Sequence, residues 1–247
     1  MSFQLSPTTV TMYKSCPFRY KCYCDPEIKR AYKNETPPLT QGQLIHGVLN
    51  SYFKDLPKVQ RNMENLKSLY RKKFLANYDK HKKIFKDQQT INEYVLQSQK
   101  EFTNFLKSDF SKTEPFEATE KLFDTMLDDI RIIAKIDRID QVEGGLHVID
   151  YKTGRLWEEE PDSLQLNFYT LVIEKIYQKK VVRKTYLYLL EGKAIDIPVK
   201  ESDEVETTKI ILNTAKAIKN EKEFKPVENS QCKFCDYKPI CPLKRKE

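Results

Sequence analysis

No stretch of the sequence approaches the ~20 consecutive apolar residues that a membrane span needs. The opening MSFQLSPTTV shows no basic segment followed by an apolar one, so no secretory signal is expected there. A cytoplasmic protein without a membrane partner is the expectation. Glycine is scarce, with 6 among 247 residues, and there is no internal repeat or low-complexity tract. Cysteine is missing from the whole middle of the chain. All six lie at the ends, at Cys16, Cys22, Cys24, Cys232, Cys235 and Cys241. In a reducing compartment this pattern does not read as a disulfide framework. It reads as a metal or cluster site that joins the two termini.

What is abundant is charge, at 32% of residues, which with so little glycine suits a helix-rich soluble protein. The length allows one large α/β domain or two small ones. A formal net charge of +7 and a pI of about 8.9 favour a polyanionic partner.

Ser6 and Pro7 are an N-cap and a first helical residue, predicting a short helix to about Ser15, and Pro17 opens a second turn. Residues 25–38 are polar, end in Thr-Pro-Pro, and read as a loop. Leu44, Ile45, Val48, Leu49, Tyr52 and Phe53 then recur at helical spacing, with His46 beside that stripe. Alone, this histidine reads as a packed or exposed residue. Residues 57–112 are Lys-rich and dotted with aromatics, predicting two or three helices in which Lys82, Lys83 and Lys86 could meet phosphates. Residues 115–123 read as a strand containing Glu120. Residues 163–180 form an amphipathic helix on which Gln165 and Tyr169 share a face. Two strands, VRKTYLYLL and AIDIPVK, follow around a Glu-Gly-Lys turn, and Asp203 is expected to cap a last helix. The order gives a mixed α/β sheet with helices on its faces.

The centre of the chain, IIAKIDRID-QVEGG-LHVIDYKTG over residues 132–154, predicts a β-hairpin. Alternation puts Asp150 and Lys152 on one face and Tyr151 on the other, and the hairpin can bring Asp137 beside that pair. Two carboxylates suit a hard cation such as Mg²⁺ or Mn²⁺, and a lysine among them can stabilise developing negative charge. An exposed hairpin with solvated charges shows the same Asp-x-Lys pattern.

At the C-terminus, Cys-x2-Cys-x5-Cys supplies three thiolates, and a tetrahedral site needs a fourth. Cys16 is the leading candidate, with Cys22 and Cys24 as competitors. The spacing suits zinc or an iron–sulfur cluster alike, and the frequency of structural zinc sites favours zinc.

Together these stretches resemble RecB-like nucleases of the PD-(D/E)xK superfamily that carry an iron–sulfur cluster. That group includes the helicase–nuclease partner AddB and the small nucleases of CRISPR spacer acquisition. The carriers are LSPTTVTMYKSCPFRY, QLIHGVL, AKIDRID, VIDYKTG, SLQLNFY and the three C-terminal cysteines, in family order over roughly residues 4–243. Ala134 stands where the family usually has glycine. The resemblance implies a restriction-endonuclease-like fold, a mixed central sheet flanked by helices. It implies one nuclease domain over residues 1–247, with a helical insertion at 57–112 and a cluster-binding region formed by 1–24 and 225–247. It implies His46, Asp137, Asp150 and the Tyr151 carbonyl as ligands of Mg²⁺ or Mn²⁺. Lys152 would act on the attacking water or the phosphorus, and Glu120 would be an outer or second-metal group. Gln165 and Tyr169 would hold DNA or orient the site. Cys16, Cys232, Cys235 and Cys241 would hold a four-iron–four-sulfur cluster in place of zinc. The implied activity is a DNA exonuclease on single strands or ends, of five-prime to three-prime polarity. Its implied protein partners belong to CRISPR adaptation or to recombination and repair. The alternative is a DNA-binding or nuclease-partner module that does not cut.

Overall fold

The computed structural model describes residues 3–116, 120–156 and 162–243. In chain order the first elements are β1 (Gln4–Leu5), α1 (Pro7–Ser15), α2 (Pro17–Cys24), α3 (Pro26–Tyr32) and α4 (Pro37–Lys54). Then come α5 (Met63–Leu75), α6 (Tyr78–Phe85), α7 (Gln88–Lys107), β2 (Lys121–Leu127), β3 (Ile130–Ile136), β4 (Arg138–Val142) and β5 (Gly145–Lys152). The last are α8 (Leu164–Tyr177), β6 (Val181–Tyr188), β7 (Lys193–Ile197) and α9 (Asp203–Asn220). They divide between two compact units, Met1–Asn34, Asp124–Ala134 and Ser202–Glu247 in one, Glu35–Phe123 and Lys135–Glu201 in the other. Among the described residues, no helix is long and apolar enough to cross a membrane.

In the first unit, α1 starts on a full capping box. The Thr9 amide donates to Ser6 Oγ at 3.2 Å, and the Ser6 amide donates to Thr9 Oγ1 at 2.7 Å. The expected loop at 25–38 is instead helical over Pro26–Tyr32. Asp25 caps it by accepting from the Glu27 and Ile28 amides, and Pro26 takes the first helical position. Ser202, not Asp203, is the N-cap of α9, and Asp203 joins Glu204 and Glu206 in the first turn, where the helix dipole favours negative charge. The two-residue β1 pairs in parallel with β3, Leu5 opposite Ile132, and both side chains are fully buried.

The second unit is built on the sheet β4-β5-β6-β7, in which β5 and β6 are parallel and the two outer pairs antiparallel. The central hairpin forms with its turn at Glu143–Gly144, but its first strand is not continuous. The ladder breaks at Asp137, and residues 130–136 belong to a different sheet. The strand expected at 115–123 also differs: β2 begins at Lys121, Glu120 lies before it with φ 61°, and residues 117–119 lie outside the described residues. Gly145 admits no side chain, because a Cβ there would fall 2.2 Å from the Lys180 carbonyl oxygen.

The alternation of β5 sorts its side chains. Ile149 and Tyr151, with Leu187 and Leu189, form one core with α4, α5, α6 and α7, the three helices of 57–112 included. Asp150 and Lys152 point to the other face and meet α8.

Within that helical layer Glu101 of α7 is fully buried. Gln97 Nε2 donates to it at 3.0 Å and Gln41 Nε2 at 3.5 Å, while Gln41 Oε1 accepts the Tyr70 hydroxyl at 2.8 Å. Burial outweighs the two amide donors and pushes the carboxyl up to about 7 from 4.5. Between those values the folded chain binds more protons than the unfolded one, so stability falls as pH rises. Glu101→Gln is therefore expected to melt above the parent at about pH 8, by an increment on the order of 2 kcal/mol. The difference should vanish below the unfolded pKa, and a thermal melt series across pH reads it.

Candidate active site

The break at Asp137 gives this residue its place. Released from the ladder, its side chain turns to two partners at once. Oδ1 lies 2.8 Å from His46 Nδ1 on α4, and Oδ2 accepts the Tyr151 amide at 2.8 Å. Across the β5 backbone, Asp150 and Lys152 form an ion pair of 2.7 Å. Gln165, at the start of α8, ties them together: its Oε1 accepts from Lys152 Nζ at 2.7 Å and its Nε2 donates to Asp150 Oδ1 at 3.0 Å. The same amide lies 2.7 Å from the Tyr169 hydroxyl, one helical turn on. Lys152 Nζ also stands 4.6 Å over the Tyr186 ring, opposite Asp150 on β6.

The sequence-expected residues His46, Asp137, Asp150, Tyr151, Lys152, Gln165 and Tyr169 are thus brought into one connected set. Glu120 stands at its margin. Its amide donates to the Asp137 carbonyl at 3.1 Å, but its carboxylate pairs with Lys135 Nζ at 2.8 Å. Sequence reasoning missed Lys135 as that partner. Asp140 lies apart, paired with Arg138. Lys82, Lys83 and Lys86 are exposed at the end of α6.

The electrostatics are those of buried charges crowded together. Burial lowers the His46 pKa, but Asp137, then Asp150 and Glu120, more than compensate and leave it raised to about 9. Burial, then repulsion from Asp137, pushes the Asp150 carboxyl up, against the pull of Lys152 and His46. The His46 and Lys152 cations balance the two carboxylates here.

Among the described residues, no three His, Cys, Asp or Glu side chains stand close enough together to hold a metal ion. The carboxylates are met instead by neighbouring donors of the chain. The chemistry of the carboxylates still suits a hard cation. Asp150 Oδ2 is buried without a well-directed hydrogen bond, since the Lys152 ammonium approaches it off the hydrogen-bond direction. It and the Asp137 carboxylate are oxygen donors of the kind that Mg²⁺ and Mn²⁺ take.

The cysteines of the first unit were expected to share a site. Cys16, Cys232, Cys235 and Cys241 all line one cavity of about 430 Å³. Cys16 Sγ accepts the Val227 amide at 3.4 Å and Cys232 Sγ the Asn229 amide at 3.3 Å. Cys22 is buried outside the cavity wall, with its thiol pushed up to about 11 by burial and then by Cys235 and Cys16. Cys24 is exposed and bonded to the Tyr20 hydroxyl.

A profile of the PD-(D/E)XK nuclease superfamily matches residues 4–242. The chain belongs to that superfamily. The fold resembles that of a crystal structure described as "Putative exonuclease" from Eubacterium rectale. The two superpose with a TM-score of 0.59 over 96% of this chain and 88% of that one, at 13% identity, a likeness of fold alone. Among sequence relatives, the Gene 69 protein of Mycobacterium phage D29 is 34% identical over 137 residues, 51% of this chain and 48% of that protein. The Gene 69 protein of Mycobacterium phage L5 is 29% identical over 136 residues, 53% of this chain and 46% of that protein. Each match spans about half the length of the phage protein.

Proposed function

We propose that this PD-(D/E)XK chain is a divalent-metal-dependent deoxyribonuclease of the RecB-like type. It would hydrolyse phosphodiester bonds as an exonuclease on single strands or DNA ends, with five-prime to three-prime polarity. The observation that carries the reading is the joined set Asp137–His46 and Asp150–Lys152–Gln165. A superfamily member without catalytic use for these groups has no reason to bury two carboxylates beside each other, because each raises the cost of the other's charge. When bound, Mg²⁺ or Mn²⁺ would supply charge neutralisation at the scissile phosphate and a more acidic water. His46, Asp137 and Asp150, with the Tyr151 carbonyl, would hold it. Lys152 would donate to the attacking water or to the phosphoryl oxygens as negative charge builds. Gln165 fixes the Lys152 ammonium, and Tyr169 fixes Gln165 in turn. Glu120 would serve at the margin as an outer group. The net charge of +7 would hold the phosphate backbone, so activity should fall steeply with salt.

In the first unit, the four cavity-lining thiols would hold a four-iron–four-sulfur cluster. Two backbone N–H···S bonds, to Cys16 and Cys232, are of the kind that metal-bound thiolates accept, and the choice of a cluster over zinc rests on the family resemblance. A DNA substrate would fit a cytoplasmic location, and a RecB-like nuclease would work with partners from CRISPR adaptation or recombination and repair. The test is cleavage of end-labelled single strands, expected with Mg²⁺ or Mn²⁺ and abolished when the ion is chelated. Binding without cleavage under every divalent ion would turn the reading into that of a non-cutting module. Protein purified without oxygen is expected to be brown and to contain iron and sulfide. A colourless protein with stoichiometric zinc would remove the cluster.

A further inference from the structure

The largest exposed side chain near the cysteine cavity is aromatic. Phe234, between Cys232 and Cys235, is 75% exposed. A ring left in water at that level packs against little of its own unit, whereas Phe85, Phe102, Phe105 and Phe168 are each 1% exposed or less. Its neighbour Lys233 belongs to two features at once. Its side chain lines the 430 Å³ cavity, and its ammonium stands 5.0 Å over the Phe234 ring. Arg19 and Lys238 line the same cavity, and among the described residues Glu228 is the one carboxylate in that wall. Through Lys233 the exposed ring adjoins a wall that holds these cations.

We infer that Phe234, with Arg19, Lys233 and Lys238, forms a binding surface for single-stranded nucleic acid. One base would stack on the open face of Phe234, and the flanking phosphates would lie along the cations. The combination of an exposed ring and neighbouring positive charge is what single-strand binding uses, since every base offers a π-face and every linkage a negative charge. A duplex keeps its base faces covered and would gain only the charge term. The wall also carries Phe18, Val227 and Leu243, so it is Arg19, Lys233 and Lys238 that favour a nucleic acid over a protein partner. The choice of partner rests on the nuclease reading, which the inference deepens by giving single strands a holding surface that takes no part in hydrolysis.

The test measures binding rather than cleavage, so it stands apart from the catalytic reading. Anisotropy of a labelled single-stranded oligonucleotide is followed with full-length protein and no added divalent cation. Phe234→Ala is expected to weaken binding by about 5- to 100-fold. Phe234→Trp should restore it, and the affinity of a blunt duplex should change little. Lys233→Ala should reduce the slope of log affinity against log salt by roughly 0.7. Phe234→Leu keeps apolar bulk without a π-face, so it should lose most of the same affinity even if the alanine variant proves poorly folded. Unchanged single-strand affinity in the alanine and leucine variants, or equal losses for single strand and duplex, would overturn the inference. If binding is lost as expected while no variant or parent cleaves DNA, the surface stands and the nuclease reading fails.

Discussion

Asp150→Ala is expected to lower cleavage of single-stranded DNA by on the order of 10³-fold or more, and Lys152→Ala by about 10²- to 10³-fold. The reasons differ. Asp150 is 4% exposed and presents one oxygen to Gln165 and another with no well-directed donor. Removing it takes away the oxygen best placed for a cation. Lys152 is tied to both Asp150 and Gln165, so its ammonium is held before any substrate arrives. Removing it takes away a pre-positioned positive charge but leaves the carboxylates intact. The variants should therefore separate when the ion is titrated: Asp150→Ala should need far more Mg²⁺ or Mn²⁺ for residual turnover, and Lys152→Ala nearly the parent's amount. Asp150→Asn provides the control for folding. Burial and Asp137 both act against the charge of Asp150, so a neutral amide of the same shape should melt no lower than the parent in metal-free buffer while remaining inactive. Single-turnover cleavage of labelled strands and parallel melts are the measurements. Undiminished cleavage in both alanine variants would remove the mechanism.

How much of this site could be read in the sequence depends on how local each relation is. The pairing of Asp150 with Lys152 follows from strand alternation, and Gln165 with Tyr169 from helical spacing, so each pair was legible. That α8 lies on the Asp150 face of the sheet, and that its first-turn Gln165 bridges the pair, is tertiary and was reachable only through the family's order of motifs. The same holds for His46, whose helix is separated from Asp137 by the whole helical insertion. Sequence reading missed the break at Asp137, because IIAKIDRID is uniformly strand-like and nothing local marks where one sheet ends and the other begins. It missed α3, which buries no residue and therefore shows no apolar period. Only its cap, Asp25-Pro26, announced it. The parallel partner of β3, two residues long, carries no pattern at all. In the first unit, spacing alone left Cys16, Cys22 and Cys24 open as partners of the C-terminal cysteines; Cys16, Cys232, Cys235 and Cys241 line one cavity, and Cys22 is buried outside its wall.

Arg138→Ala is expected to cost about 3–5 kcal/mol of stability and to lower the melting temperature by roughly 6–20 °C. Arg138 is 0% exposed, and its guanidinium meets Asp140 through two bonds, Nε to Oδ1 at 2.6 Å and Nη2 to Oδ2 at 2.9 Å. It also donates to the Phe110 and Thr113 carbonyls and lies 4.7 Å over the Phe53 ring. Truncation leaves a buried carboxylate unpaired and two carbonyls without their donor, which is the expensive way to break a buried pair. Lysine should not rescue it, since a single ammonium cannot serve a bidentate carboxylate and two carbonyls at separate positions. Changing both members to apolar residues, Arg138→Met with Asp140→Leu, should recover much of the loss, because no charge then remains buried. The pair also bears on the site. Arg138 directly follows Asp137 and fastens the start of β4 to the 110–113 segment, so it holds the backbone whose break lets Asp137 face His46 and the Tyr151 amide. The double variant should consequently be stable yet slower per folded molecule, with the deficit in turnover rather than in DNA binding. Denaturant unfolding beside single-turnover cleavage distinguishes the two effects. An alanine variant that melts within a degree of the parent would show that this buried network does not stabilise the unit.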